Sequence, residues 1–304
     1  MIILLNENLL NSENKKKLSK KLLCKKLNEI NKKNYKNVVA IYTKLESKIN
    51  KIDIIKFPNL RYILSPTTGL NHIDEKILKE KKIKIINLKL FLKEIKKITS
   101  TSEYAIALIL SAARKILEQS FFSKKKIFDR YKYKNYQFKN QTIGIIGYGR
   151  IGKYVVSKLK NLGFKVIIND RKKIKDKNFK SLKYLMVNSD IISLHINYDK
   201  ENENFIDQKY LKLCKKKPTI INTSRGELIN EEDLIRYLKN DTLSSAYLDV
   251  IRNEQIAFKN KNSKIFDLNR KEKLFILPHL GGATLDAMTE TENLVIKRFI
   301  KDYE

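Results

Sequence analysis

The sequence predicts an α/β protein of two domains, each built on a parallel sheet. Three observations carry this. Short apolar runs alternate with helical patterns along most of the chain, the signature of strands joined by crossover helices. The alternation breaks near Ile98 and again across a charged, aromatic stretch from Phe121 to Asn140. With 304 residues, 42% of them hydrophobic, the chain can fill two cores, whereas a single core stops growing near ~250–300 residues.

Taken in order, Ile2 to Leu5 and Val38 to Tyr42 read as strands, with Leu18, Leu22, Leu27 and Ile30 at helical spacing between them. Arg61 to Leu64 is a further strand ending in the loop Ser65-Pro66-Thr67-Thr68-Gly69, and Ile83 to Asn87 another after a Lys-rich helix. Residues 1–98 therefore form the first domain. Ser100 with Glu103 makes a capping-box pattern, opening a helix whose stripe is Ala105, Leu108, Ile109, Ala112 and Ile116. Phe121 to Asn140 has no clean period and reads as an irregular arm. From Gln141 strands are expected at Thr142 to Ile146, Lys165 to Asn169, Asp190 to Leu194, Thr219 to Asn222, Ser245 to Asp249 and Leu274 to Leu277. Asn230, followed by Glu231, Glu232 and Asp233, opens one of the helices between them, where carboxylates suit the helix dipole. Six strands with crossovers give a doubly wound sheet over residues 99–283. A returning helix carrying Leu285, Met288, Val295 and Phe299 completes the first domain with residues 284–304, leaving no room for an appended regulatory domain.

The net charge of +31 raises nucleic acid as a partner. Only ten of the 64 basic residues are Arg, however, and the Lys are spread over nearly every segment. Solvated Lys-rich faces account for this better than a dedicated surface, so nucleic acid is not expected as a partner. No apolar run approaches the ~20 residues of a membrane span, and the polar residues after Leu5 interrupt any signal peptide. Cys24 and Cys214 lack metal spacing and fit a reducing compartment. A cytoplasmic protein without a metal site is expected.

Nine glycines remain in a chain this long, so each is informative. Gly147-Tyr148-Gly149-Arg150-Ile151-Gly152 follows an apolar strand and opens a helix carrying Val155, Val156 and Leu159. A GxGxxG alone can be a ligand-free turn. In this setting Gly147 suits the tight turn, Gly149 the close approach of a pyrophosphate, and Gly152 the packing of helix on strand. Asp170, 18 residues beyond Gly152 at the end of the next strand, can bind ribose hydroxyls. These features predict a Rossmann-type domain binding NAD; Arg171, Lys172 and Lys173 keep NADP open, since a nearby cation can receive the 2′-phosphate.

The glycine loop begins at residue 147, behind a whole domain. That arrangement, with Thr142-Ile-Gly-Ile-Ile-Gly-Tyr-Gly-Arg-Ile-Gly152, Ser189-Asp-Ile-Ile-Ser-Leu-His195, Ile220-Ile-Asn-Thr-Ser-Arg-Gly-Glu-Leu-Ile-Asn230, Ala246-Tyr-Leu-Asp-Val250, Leu277-Pro-His-Leu-Gly-Gly282 and Thr67-Thr-Gly-Leu-Asn-His-Ile-Asp74, resembles the D-isomer-specific 2-hydroxyacid dehydrogenase family. The resemblance implies a smaller flavodoxin-like substrate domain beside the Rossmann-type one. It implies Arg225 as the grip on a substrate carboxylate, His279 as general acid/base and Glu254 as the carboxylate that orients His279. It also implies substrate contacts from Thr67, Thr68 and Gly69, and cofactor contacts from Gly147, Gly149, Arg150, Ile151, Gly152, Asp170, His195, Thr223, Ser224, Asp249 and Gly282; His72 is read as structural. Departures are Asn197 where Pro is common, Tyr104 for His, Phe128 for Trp, and Gln255 where Pro usually follows the Glu.

The implied activity is NAD-dependent interconversion of a small D-2-hydroxy acid and its 2-keto acid, of phosphoglycerate or hydroxypyruvate/glyoxylate type. The alternative is a dinucleotide-sensing, corepressor-like binding protein of the same fold. A homodimer is expected from the family's habit and from the aromatic arm of Phe121, Phe122, Phe128, Tyr131, Tyr133 and Tyr136.

Overall fold

Two wholly parallel sheets are built from the buried apolar runs in the computed structural model of the chain. It describes all residues but 6–9, 46, 125, 127, 129–130, 132–133, 261–264 and 267–272, and at 27 and 121–124 the backbone alone. The chain divides into one compact unit of Met1–Ile98 with Thr284–Glu304 and a second of Thr99–Ala283.

In the first unit the strands β1 (Ile2–Leu5), β2 (Leu23–Lys26), β3 (Val38–Tyr42), β4 (Tyr62–Ser65) and β5 (Lys84–Asn87) lie in the order 2-1-3-4-5, the flavodoxin-like arrangement. Both faces are covered, which is why these strands read as unbroken apolar runs. Ile3, Leu64 and Ile86 pack on one side with Val295, Ile296 and Phe299 of the C-terminal helix Leu285–Tyr303. Leu4, Ile41 and Ile63 pack on the other with Ile54, Phe57 and Ile77. Glu292 of the same helix is buried against Lys44 at 2.6 Å, and its second oxygen accepts from Asn11 Nδ2 at 2.7 Å.

Leu18, Leu22, Leu27 and Ile30 do not share one helix, contrary to expectation. The helix stops at Ser19, and Leu23–Lys26 becomes the edge strand β2 beside β1. Pairing with an otherwise open sheet edge outweighs a local helical spacing. In the C-terminal helix Leu285 is 89% exposed, and the buried stripe runs through Ala287, Val295, Ile296 and Phe299.

In the second unit β6 (Thr142–Ile146), β7 (Lys165–Asn169), β8 (Ile191–Leu194), β9 (Thr219–Asn222), β10 (Ser245–Leu248) and β11 (Leu274–Ile276) are ordered β11-β10-β9-β8-β6-β7. A single bridge from Ile168 to Phe179 extends the sheet past β7, where the Rossmann order places its outer strand. The order reverses between β6 and β8, and ligands of open α/β sheets bind beyond the strand ends at such a switch point.

The helix Ser100–Arg114 is capped by Thr99, not Ser100; the Thr99 hydroxyl bonds the Glu103 carboxylate, and Ser100 is buried. The expected capping box does not form: Thr99 makes no side-chain bond to the helix backbone. Lys115 turns left-handed and ends the helix, leaving Ile116 exposed. The arm expected to be irregular begins as a helix, Ile116–Lys124, whose buried Glu118 accepts from Ser245 Oγ (2.9 Å) and Tyr247 Oη (2.6 Å). Beyond it Phe128, Tyr131 and Tyr136 are exposed, Phe128 to 91%. The side chains of Phe121 and Phe122, and Tyr133, lie outside the described residues. No helix among the described residues is long and apolar enough to cross a membrane, and no cluster among them could hold a metal ion.

Candidate active site

The glycine loop leaves β6 with Gly147 at φ +100°. A Cβ there would lie 2.4 Å from the His195 carbonyl oxygen, and one at Gly152 only 2.0 Å from that of Gly147. These two glycines are therefore required by contact. Gly149 has open space where its Cβ would point. It also caps the helix Arg150–Asn161 without a side chain, so the first N–H groups, those of Arg150 and Ile151 included, lack intrahelical acceptors and suit an anion.

Asp170 follows β7 and is fixed against this loop. Its Oδ2 accepts from the Tyr148 N–H at 2.7 Å and its Oδ1 from the Lys172 N–H at 2.9 Å. Arg171, Lys172 and Lys173 are exposed beside it. His195, just past β8, donates its backbone N–H to the Ile146 carbonyl at 2.7 Å. Its Nε2 pairs with Ser193 Oγ at 3.0 Å, and burial pushes the imidazole down to about 4, so the ring is neutral. His195 Nδ1 and Thr223 Oγ1 are buried without a hydrogen-bond partner among the described residues. An open cradle over Gly149, a ribose-type carboxylate and two unspent polar atoms at the switch point fit a dinucleotide.

Arg225 stands on the turn after β9. Asn222, the last residue of that strand, accepts from the Ser224 N–H (3.0 Å) and donates to the Arg225 carbonyl (2.8 Å). Ser224 Oγ donates to the Leu194 carbonyl at 2.8 Å, tying this turn to β8. The Arg225 guanidinium donates to the Ser224 carbonyl at 2.7 Å. Burial lowers its pKa, while Glu254 and Glu227 oppose the shift. Gly226 admits no side chain, because its Cβ would lie 2.0 Å from the Ile251 carbonyl carbon. That contact seats the Arg225 turn directly on the loop leading from β10 to Glu254.

His279 has φ +57°, a left-handed backbone rare for a non-glycine and a recurrent mark of functional sites. Asp249 holds it there. The Asp249 carbonyl accepts the His279 N–H (2.9 Å), and its two carboxylate oxygens accept the N–H groups of Leu280 (2.7 Å) and Gly281 (2.8 Å). Burial raises the Asp249 pKa and those two donors oppose the rise. Gly281 and Gly282 lie against Thr101 of the helix Ser100–Arg114, with Tyr104 also near Gly281; Tyr104 is pushed up to about 12 by burial and by Asp249. His279 Nδ1 meets Glu254 Oε1 at 2.7 Å. The structure thus brings Arg225, Glu254 and His279 together within one unit, with Glu254 acting electrostatically on Arg225 and bonded to His279.

Thr67, Thr68 and Gly69 form a half-buried loop after β4 in the first unit. Thr67 Oγ1 bonds Ser65 Oγ and donates to the Gly69 carbonyl, both at 2.9 Å, and Ser65 Oγ pairs with His72 Nε2 at 3.2 Å. His72 is buried. Sequence reasoning missed Asn222 and the clamping geometry of Asp249. Asn222 had a readable signal, a polar side chain ending an apolar strand immediately before a turn.

The family model for the D-isomer specific 2-hydroxyacid dehydrogenase, NAD binding domain, matches residues 106–281. A glyoxylate reductase of Thermococcus litoralis is 30% identical over 278 residues, 87% of this chain and 80% of that protein. A D-specific alpha-keto acid dehydrogenase of Enterococcus faecium is 27% identical, covering 89% and 84%. Among solved structures, the D-lactate dehydrogenase of Aquifex aeolicus complexed with NAD and lactic acid superposes with a TM-score of 0.85 at 25% identity, over 99% of this chain and 96% of that one. With the glycine cradle, the acidic partner and the Arg, Glu and His set already in place, the chain belongs to the D-isomer-specific 2-hydroxyacid dehydrogenases, oxidoreductases that interconvert 2-hydroxy and 2-keto acids with NAD.

Proposed function

We propose that this chain reduces a small 2-keto acid of the glyoxylate or hydroxypyruvate class to its D-2-hydroxy acid, or runs the reverse, through Arg225, Glu254 and His279. The observation that carries the reading is the 2.7 Å contact between Glu254 and the Nδ1 of His279. It leaves Nε2 to exchange a proton. The glycine loop and Asp170 would hold the dinucleotide, which would supply a hydride as NADH or take one up as NAD. Arg225 holds the substrate carboxylate and polarises the carbonyl, for which a fixed guanidinium fork is suited. His279 gives its Nε2 proton to the carbonyl oxygen in reduction and removes it in oxidation, while Glu254 supports the imidazolium.

Residues 1–98 with 284–304 serve as the substrate domain in this reading, with Thr67, Thr68 and Gly69 offering backbone N–H groups. Residues 99–283 serve as the cofactor domain, with Gly147, Gly149, Arg150, Ile151, Gly152, Asp170, His195, Thr223, Ser224, Asp249 and Gly282 around the dinucleotide. Asp170 favours NAD over NADP, because its charge repels a 2′-phosphate. We further infer a cytoplasmic homodimer.

A panel of 2-keto acids with NADH, followed at the nicotinamide absorbance, tests the reading. His279→Gln should lower kcat by roughly 10² with little change in KM, and Arg225→Lys should impair both. The pH–rate profiles of reduction and oxidation should change in His279→Gln, and Glu254→Gln should lower kcat in both directions. Near-normal turnover and an unchanged profile in His279→Gln would overturn the catalytic assignment in favour of a dinucleotide sensor.

A further inference from the structure

Arg225 and Glu254 stand on different loops, and one side chain ties those loops together. Arg252 Nη1 donates to Glu203 Oε1 at 2.6 Å, and its Nη2 donates to Asn204 Oδ1 at 2.8 Å and to the Glu227 carbonyl at 3.3 Å. Its backbone N–H donates to Glu231 Oε1 at 2.6 Å. Asn204 in turn donates its backbone N–H to the same Glu227 carbonyl at 2.9 Å. One planar guanidinium therefore joins the 203–204 segment, the turn that follows Arg225, and the loop that leads to Glu254. The next residue, Asn253, is left-handed at φ +49° and precedes Glu254 directly. A strained residue keeps its conformation only where its surroundings determine it. Here they are Arg252 on one side, the His279–Glu254 contact on the other, and the N–H groups of Ile256 (2.8 Å) and Ala257 (3.0 Å), which donate to the Asn253 carbonyl.

We propose that Arg252 is a positioning residue for the reaction, holding the Asn253 turn so that Glu254 stays between His279 and Arg225. The inference rests on the catalytic reading of Arg225 and His279. The contact to Glu203 alone does not carry it, because a partly exposed ion pair contributes little. The directional bonds to the Asn204 side chain and the Glu227 carbonyl do, since a lysine ammonium cannot reproduce that fork. Among the described residues, Glu231 and Glu203 act on Arg252, Glu227 on Arg225, and Asp249 on the His279–Glu254 pair.

Arg252→Ala, Arg252→Lys and Glu203→Gln test this on the full chain, with His279→Gln measured in parallel. Misplacement of a catalytic group by about 1 Å can cost up to ~10² in rate. We expect Arg252→Ala to lose roughly tenfold or more in kcat at unchanged NADH affinity, and the limbs of its pH–rate profile to move as they do in Glu254→Gln. Added guanidinium ion should restore part of the rate. Arg252→Lys should resemble the alanine variant, and Glu203→Gln the unmodified protein. Wild-type kcat and pH profile in Arg252→Ala would overturn the proposal, as would a loss with unmoved limbs and no rescue. If Arg252→Ala does not fold, Arg252→Lys decides: wild-type behaviour refutes the directional role, and shifted limbs support it. Turnover surviving in His279→Gln would instead refute the underlying reading.

Discussion

His195 holds its proton balance through burial. With its imidazole pushed down to about 4 from an ordinary value near ~6.5, the folded chain binds fewer protons there than the unfolded chain between those two values. Stability should therefore fall as pH drops from ~6.5 to 4. Melting temperatures of the protein and of His195→Gln across this window check the point. The variant should show the shallower decline, and parallel curves would contradict it. Asp170 shows the other side of the residue scale: its position after a strand was legible in the sequence, yet its bonds to the Tyr148 and Lys172 N–H groups were not. Glycines were the most legible residues, because Gly147, Gly152 and Gly226 answer to steric demands written in local motifs. Arg252 was invisible, since its partners lie 21 to 49 positions away.

At the scale of elements, strands buried on both faces announce themselves as apolar runs, and the expected strands appear with ends shifted by a residue or so. Two elements escaped for one reason. The strand Leu23–Lys26 and the helix Ile116–Lys124 are specified by what they pair with, not by their own periodicity. For that helix the anchor is Glu118, which joins it to β10 through Ser245 and Tyr247; Ser245 Oγ also bonds Thr219 Oγ1 at 2.9 Å. Glu118→Ala would leave buried hydroxyls facing a void, and each unsatisfied group costs about 1–3 kcal/mol. We expect a loss of roughly 2–4 kcal/mol in urea unfolding, with Glu118→Gln losing less because it keeps both an acceptor and the volume. A change below ~0.5 kcal/mol for the alanine variant would show that the network is not under load.

For the whole molecule, the exposed Phe128, Tyr131 and Tyr136 motivate the proposed homodimer, because a lone surface rarely leaves such aromatics uncovered. Light scattering at micromolar concentration should report twice the chain mass, and substituting Phe128 and Tyr131 by Ser should shift it toward the monomer; a monomer in the unmodified protein would refute it. The net charge of +31 left the fold readable, since Lys spread over solvated faces does not disturb the apolar pattern. The C-terminal helix has a consequence for how the chain is made. Val295, Ile296 and Phe299 fill the core of the unit that also holds residues 1–98, so during synthesis those residues cannot close that core until all of residues 99–283 have followed. At ~5–20 residues per second this is a wait of roughly 10–40 s, during which the face carrying Ile3, Leu64 and Ile86 lacks its cover.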